Sequence, residues 1–384
     1  MIDLWYTTII IGAACYLYLT GRIIRGLIRL RPSNPVTSKE KPPVSVVIAA
    51  RNEEQEIGRT IEALIQQDYP IELIEIIIVS DRSTDRTASI VTEHGKRHPH
   101  IRLIEQDSID ESLSPKKQAL ERGIRSAKGE IIVTTDADCQ PSIRWLTTMI
   151  QHFTPKVGMV TGKAKFIIEP DAPYWQTLQS LDFDSQGYAA AGLIADDMPF
   201  SCSGASLAFR KELFEEINGY SGVDNLISGD DELLLAKAAR TQWQIITTAL
   251  RAAVVPTRPP ITIKELWNQR IRWGSKGLYY NNTRKVVLAG IFLFLLCLSI
   301  GPAILLIDAD LYMLWIAFVG LKILLDLTAT FLGTRIYSDR FNLLDFLILE
   351  LFHAPAMVIF AIAGHFTSFE WKGQSFRSRS TVSK

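Results

Sequence analysis

Three acidic clusters, each directly after a short β-prone run, hold the residues of this sequence best suited to chemistry. Residues 44–49 are followed by Arg51-Asn52-Glu53-Glu54, residues 74–79 by Asp81-Arg82-Ser83-Thr84-Asp85, and residues 131–135 by Asp136-Ala137-Asp138. Singly, each has a structural explanation: Asp85 as a helix N-cap, Glu53 or Glu54 as a favourable charge in a first helical turn. Together they are harder to explain that way, because carboxylates gathered in one crevice repel unless a cation or a donor-rich ligand compensates them. A divalent metal with a nucleoside diphosphate supplies both. Asp136 and Asp138 flank a small residue at a strand end, so both are expected to turn toward one ion. Hard oxygen ligands suit Mg²⁺ or Mn²⁺, which bridges two phosphates and neutralises a departing diphosphate.

The elements that must position these groups follow from the alternation of apolar runs. Strands are expected at 44–49, 74–79, 101–105 and 131–135, with helices at 57–67, 85–96 and 116–128 between them. This β-α-β-α-β-α-β order implies an α/β fold with a largely parallel sheet and ligands beyond the carboxyl ends of its strands. A dinucleotide-binding dehydrogenase is disfavoured, because the first strand-helix turn reads Ala-Arg-Asn-Glu-Glu and lacks G-x-G-x-x-G.

The 384 residues carry 41 Lys plus Arg and 41 Asp plus Glu, so no global field favours nucleic acid. Cys15, Cys139, Cys202 and Cys297 are scattered, with neither a disulfide framework nor a zinc-ligand spacing. Residues 4–21 form an uncharged run followed by Arg22, Arg25, Arg29 and Arg31, which reads as a retained anchor rather than a cleaved signal peptide. Further apolar runs cover 286–307 and 311–332, joined by the turn Asp308-Ala309-Asp310. Basic flanks on the middle domain's side of all three runs put that domain in the cytosol. The stretch 341–366 fits less well, since it carries Asp345, Glu350, His353 and Pro355 and ends in a basic tail with Lys372, Arg377, Arg379 and Lys384. A partly inserted helix broken near Pro355 is expected there, slightly ahead of a plain fourth span. Lys322 and Asp326, four apart in the third run, share a helix face as a local ion pair or, less readily, as part of a substrate pathway.

The ordered set VSVVIAARNEE, VSDRSTDRT, PKKQAL, TTDADC, CSGASLAFR, SGDDELLL and QRIRW resembles the membrane-bound glycosyltransferases of family 2, relatives of cellulose, hyaluronan and poly-N-acetylglucosamine synthases. The resemblance implies a GT-A (Rossmann-like) domain at 42–285 after an anchor at 1–31, then membrane or interfacial helices at 286–366 and a basic tail at 367–384. It also implies that Glu53 and Asp81 contact the nucleoside, usually uridine, and that Asp136 and Asp138 serve the diphosphate and its metal. Lys116 resembles the lysine that approaches the diphosphate, with Lys117 a near-equal candidate. Cys202, Ser203 and Gly204 resemble the segment lining the acceptor pocket, or form a buried strand or turn. Asp231 aligns with the family's general base and Asp230 with a position often held by Glu, so either carboxylate is a candidate. An inverting transfer needs one base on the face opposite the leaving group, and both residues would also suit the start of a helix. Gln269, Arg272 and Trp273 match the family's segment near the membrane. Arg272 would fork onto phosphate and Trp273 stack on an acceptor sugar, or both would be interfacial anchors.

These implications describe an inverting enzyme that moves a sugar from a nucleotide sugar, UDP-linked, to a lipid-linked or polysaccharide acceptor at the cytosolic face of a bacterial inner membrane. A processive polysaccharide synthase and a non-catalytic nucleotide-sugar-binding membrane subunit are the alternatives. QRIRW leans toward polymer synthesis and the few spans toward single transfers to a lipid.

Overall fold

A computed structural model describes residues 2–30, 41–275, 282–305, 312–372 and 374–377. Arg31, the turn Asp308-Ala309-Asp310, and Arg379 and Lys384 of the tail lie outside them. In chain order the elements are α1 (Ile2–Arg29), β1 (Val44–Ala50), α2 (Ile57–Ile65), β2 (Ile74–Asp81), α3 (Thr87–Arg97), β3 (Ile101–Gln106), α4 (Pro115–Ser126) and β4 (Ile131–Thr134). There follow α5 (Trp145–Ile150), β5 (Val157–Thr161), β6 (Lys163–Phe166), α6 (Tyr174–Ala195), β7 (Leu207–Arg210), α7 (Lys211–Glu216), α8 (Glu232–Ala238), β8 (Gln244–Thr247) and β9 (Val254–Thr257). The chain continues through α9 (Ile263–Gly274), α10 (Asn282–Leu305), α11 (Tyr312–Tyr337), α12 (Leu343–Phe366), β10 (Ser368–Trp371) and β11 (Gln374–Arg377).

The chain divides into two compact units. One comprises Arg29–Glu169 and Leu193–Pro259; the other comprises Met1–Ile28, Pro170–Gly192 and Pro260–Arg379. The domain expected at 42–285 thus takes in the first unit together with two segments that group with the long helices.

The first unit is built on a seven-stranded sheet of order β3-β2-β1-β4-β7-β5-β8. The four strands expected from the sequence are parallel, in register along Val44↔Ile74 and Val44↔Ile131. The continuous apolar runs of β1, β2 and β4 are buried on both faces, as a parallel sheet covered by helices requires, while β3 is the half-exposed edge strand. β7 runs antiparallel to both β4 and β5, and Thr134↔Leu207 pairs the end of β4 with the start of β7. The turn before β7 therefore lies at the same edge as the carboxyl ends of β1, β2 and β4. Helix α4 packs against this sheet through Ala119, Leu120 and Ile124, which share a core with Val47, Ile77 and Val79.

In the second unit, four helices are long and apolar enough to cross a membrane: Trp5–Arg29, Arg284–Ala303, Tyr312–Tyr337 and Leu343–Phe366. Small residues let them approach closely. A Cβ on Gly12 would meet Gly290 O at 2.8 Å, and one on Gly364 would meet the Gly274 carbonyl carbon at 2.8 Å. The break expected near Pro355 does not occur, since α12 continues through that residue. Proline deletes one helical hydrogen bond but keeps a helical φ, and packing of α12 against α9 and α10 offsets the loss. β10 and β11 form a hairpin beyond α12, tied to α9 by Asn268 Oδ1, which accepts from the Glu370 N–H at 3.1 Å, and by the Lys264–Glu370 ion pair at 2.7 Å.

The α4–sheet contact gives a stability test. A Cβ on Gly123 would meet Val47 Cγ1 at 2.5 Å and Val79 Cγ2 at 3.1 Å. Gly123→Ala gains about 1 kcal/mol of helix propensity but overpacks a core, at a cost of about 1–3 kcal/mol. Thermal melts should show net destabilisation, and an unchanged or raised Tm would contradict the packing.

Candidate active site

The turns after β1 and β2 are stitched together by backbone and side-chain hydrogen bonds. Asn52, held at φ 51°, accepts the Thr84 N–H on its Oδ1 at 2.9 Å, and Glu54 Oε2 accepts the Arg86 N–H at 3.1 Å. Asp85 accepts the Glu54 N–H at 3.0 Å, and the Thr87 N–H and hydroxyl at 3.0 and 2.6 Å. Burial of Asp85 opposes its ionisation, but these hydrogen bonds outweigh that and hold its carboxyl below the usual range. Glu54 and Asp85 thus fasten one loop to the other. At the end of β2, Asp81 is buried. It pairs with Arg82 at 2.9 Å and Arg51 at 3.6 Å, and Gln106 Nε2 lies 3.4 Å away. Arg82 reaches its own neighbour from a left-handed backbone, φ 49°, a conformation that non-glycine residues adopt mainly where surrounding structure imposes it.

Lys116 is the link between motifs. Its Nζ lies 2.8 Å from Asp136 Oδ1 at the end of β4 and 3.0 Å from Asp230 Oδ2 before α8. Burial alone would depress the Lys116 pKa, but the two carboxylates outweigh it and raise it well above the ordinary lysine value. The reciprocal holds at Asp230, where burial would raise the pKa and Lys116 lowers it. Lys117, adjacent in sequence, faces elsewhere. It is almost wholly buried and donates to the carbonyls of Val223 at 2.7 Å, Leu226 at 2.7 Å and Ser228 at 3.0 Å. It pins the loop that delivers the Gly-Asp-Asp run, and Gly229 supplies the φ of 81° that turns this run into α8.

Asp231 caps α8. Its Oδ1 accepts the Glu232 N–H at 2.7 Å and its Oδ2 the Gly204 N–H at 2.9 Å. Gly204 O in turn accepts from the Thr134 hydroxyl at 3.0 Å, and Ser201 donates to Glu232 at 2.5 Å. The segment containing Cys202, Ser203 and Gly204 is thus a turn locked between the end of β4 and the start of α8. Of the two readings offered for it, this geometry supports the structured turn.

Asp136, Asp138 and Cys139 place one potential ligand atom each within 4.8 Å of one another. Their turn is anchored by the Thr60 hydroxyl, which donates to Ala137 O at 2.7 Å. Burial, then Asp136 and Asp138, push the Cys139 thiol well above its ordinary value. The available donors are therefore two hard carboxylates beside a protonated thiol, a set that fits Mg²⁺ or Mn²⁺. Glu53 begins the β1–α2 connection, where its carbonyl accepts the Ile57 N–H at 2.9 Å.

The comparisons agree with this architecture. The profile of Glycosyl transferase family 2 matches residues 45–217. This chain carries a family 2 glycosyltransferase domain. The chain is 29% identical over 244 residues to "Probable glycosyltransferase YdaM" of Bacillus subtilis, covering 63% of this chain and 56% of that protein. It is 24% identical over 276 residues to "Beta-monoglucosyldiacylglycerol synthase" of Synechocystis, covering 67% and 55%. To "Poly-beta-1,6-N-acetyl-D-glucosamine synthase" of Staphylococcus epidermidis it is 25% identical over 281 residues, covering 70% and 61%. The aligned part spans between half and two thirds of these relatives. A solved mannosyltransferase from Pyrobaculum calidifontis, in complex with GDP-Man and Mn²⁺, shares the GT-A fold. Its TM-score is 0.55 at 20% identity, with 93% of this chain and 97% of that chain covered.

Gln269, Arg272 and Trp273 lie on α9, in the unit of long helices. The Trp273 ring stacks on Phe183 at 5.8 Å, and the Arg270 guanidinium sits 4.9 Å from its centroid. Arg270, which the sequence reading passed over, is buried and pairs with Asp182 at 2.5 Å, and Gln269 Oε1 is buried without a hydrogen bond among the described residues. Also missed was the Lys116–Asp230 pair, which joins motifs more than a hundred residues apart.

The two lysines should separate on mutation. Lys117→Met strands three buried carbonyls and should cost about 3 kcal/mol of stability, read by chemical denaturation of the full-length protein. Lys116→Met should cost clearly less stability and act on nucleotide-diphosphate binding. Equal destabilisation by both variants would contradict the division of labour.

Proposed function

We propose that the chain is a membrane-anchored, inverting glycosyltransferase that takes a sugar from a UDP-sugar to a lipid-linked acceptor, on the cytosolic side of a bacterial inner membrane. The observation that carries this reading is the ion-pair bridge from Asp136 through Lys116 to Asp230, with Asp231 next in sequence. The bridge joins a diphosphate-binding strand end to the start of a helix that carries a base. The mannosyltransferase solved with GDP-Man and Mn²⁺ supports a nucleotide-sugar donor, and the glucosyldiacylglycerol synthases support a lipid acceptor. The basic residues Arg22, Arg25 and Arg29 after the first apolar run support the cytosolic placement.

In this mechanism Glu53 and Asp81 receive the nucleoside. Asp81, fixed by Arg51 and Arg82, presents acceptor oxygens to base N–H groups. Asp136 and Asp138 would hold Mg²⁺ or Mn²⁺, which when bound neutralises charge on the leaving diphosphate. Lys116 adds a second positive group beside it. The Gly204 N–H orients the Asp231 carboxylate. Asp231 takes the proton from the acceptor hydroxyl as the acceptor oxygen bonds to the anomeric carbon. The bond to the diphosphate oxygen breaks on the opposite face, so the configuration inverts. Asp230, paired with Lys116, serves positioning. Cys202, Ser203 and Gly204 line the acceptor side, and for Gln269, Arg272 and Trp273 the family resemblance implies acceptor or phosphate contacts. A processive polysaccharide synthase is the second reading, favoured by QRIRW and by the similarity to the poly-β-1,6-N-acetylglucosamine synthases.

Membranes holding the protein should transfer label from one member of a nucleotide-sugar panel, GDP-sugars included, in the presence of Mn²⁺, and EDTA should abolish the transfer. Label in the lipid extract supports the first acceptor reading and label in polymer the second. Asp231→Asn should lower the rate by about 10²–10⁴-fold with UDP affinity unchanged. Wild-type turnover in that variant would remove Asp231 from the mechanism.

A further inference from the structure

Within the unit of long helices, five polar side chains from α1, α11 and α12 form one cluster, centred on the Lys322 ammonium and the three side chains around it. Lys322, 3% exposed, places Nζ 2.5 Å from Glu350 Oε2, 3.0 Å from Asp326 Oδ2 and 2.8 Å from His353 Nδ1. The Tyr16 hydroxyl donates to Asp326 Oδ1. An ammonium has no lone pair, so the contact to His353 makes Nδ1 an acceptor and leaves the ring neutral with its proton on Nε2.

The charges do not balance. Asp326 and Glu350 carry two negative charges against the single positive charge of Lys322. Among the described residues, Asp182 and Arg270 also act on His353; they pair with each other at 2.5 Å and sum to zero. An unbalanced carboxylate in apolar surroundings is strongly disfavoured. Two observations show where the imbalance can be relieved. The carboxyl oxygens of Asp326 and Glu350 lie within 4.8 Å of one another. Asp326 Oδ2 is buried and, despite the nearby ammonium, accepts no hydrogen bond among the described residues.

We infer that Asp326 and Glu350 share one bound proton at neutral pH, making the Tyr16–Asp326–Lys322–Glu350–His353 cluster a proton-binding site that governs how tightly α1, α11 and α12 hold together. Asp326, Glu350 and His353 have the donor types and spacing to take a metal ion. Lys322 Nζ already stands within hydrogen-bonding distance of all three, so the chain supplies its own cation there and what is missing is a proton. Loss of that proton leaves a net negative charge among the three helices. Cohesion is therefore greatest where that one proton is bound and falls as pH rises through its loss. Glu350→Gln and Asp326→Asn are near-isosteric changes, each of which restores one carboxylate to one ammonium. The inference rests on the apolar surroundings of the helices and not on the transfer reaction, so the transfer assay and this test fail independently.

The test is infrared difference spectroscopy of the full-length protein in lipid nanodiscs during a pH titration. A carboxylic-acid C=O band should be present at neutral pH, shift in D₂O, fade as pH rises, and be missing from both variants. Thermal melts should show the wild type losing stability toward alkaline pH, with that loss much reduced in Glu350→Gln or, if that variant does not fold, in Asp326→Asn. Absence of the acid band from the wild type at neutral pH would overturn the proposal. So would its persistence in both variants, or a stoichiometric metal in the purified protein that Glu350→Gln releases.

Discussion

Carboxylates gathered at one edge of a sheet repel one another, and the glycosyltransferase unit depends on how that repulsion is met. Lys116 stands between Asp136 and Asp230, and its charge is secured because the two acids outweigh its desolvation. Around this point several buried polar contacts gather. Lys117 ties down the loop that brings Asp230, Gly204 is held from both sides, and Thr60 fixes the Asp-Ala-Asp turn. A site of this kind is preorganised by backbone contacts, so bound phosphate and metal enter a charge arrangement that already exists.

Much of this was legible in the sequence because parallel strands buried on both faces leave long apolar runs. The four parallel strands and the acids after them fall within two residues of their expected places. The half of the sheet beyond β4, entered through the antiparallel β7, was not legible. β5, β7 and β8 are four or five residues long and, unlike the equally short β4, do not fall in a repeating strand-helix alternation that marks them as strands. Asp85 and Glu54 show the opposite difficulty: both looked like ligands or caps, and only the contact between their loops decides for fastening. Lys116 and Lys117 could not be separated by type or position, since adjacent helical residues differ by about 100° in direction and only tertiary contact assigns one to carboxylates and the other to carbonyls.

In the helical unit, composition identified the apolar segments but not what they enclose. Lys322 and Asp326 read as a local pair four residues apart. Glu350 and His353 read as obstacles to a span beside Pro355, when in the fold they complete the same polar cluster, and α12 runs unbroken past the proline. A hydropathy window scores such residues as costs and cannot see that they meet. The same blindness hid Arg270, whose partner Asp182 lies in a segment separated from it by the last strands of the sheet.

If the acids at the sheet edge are there for a metal and a diphosphate, ion and nucleotide must assist each other's binding. Calorimetric titration of UDP into the full-length protein, with Mn²⁺ and then with EDTA, measures that coupling directly. The account predicts affinity at least about tenfold higher with metal, a coupling of about 1.4 kcal/mol or more. Equal affinity under the two conditions would contradict it.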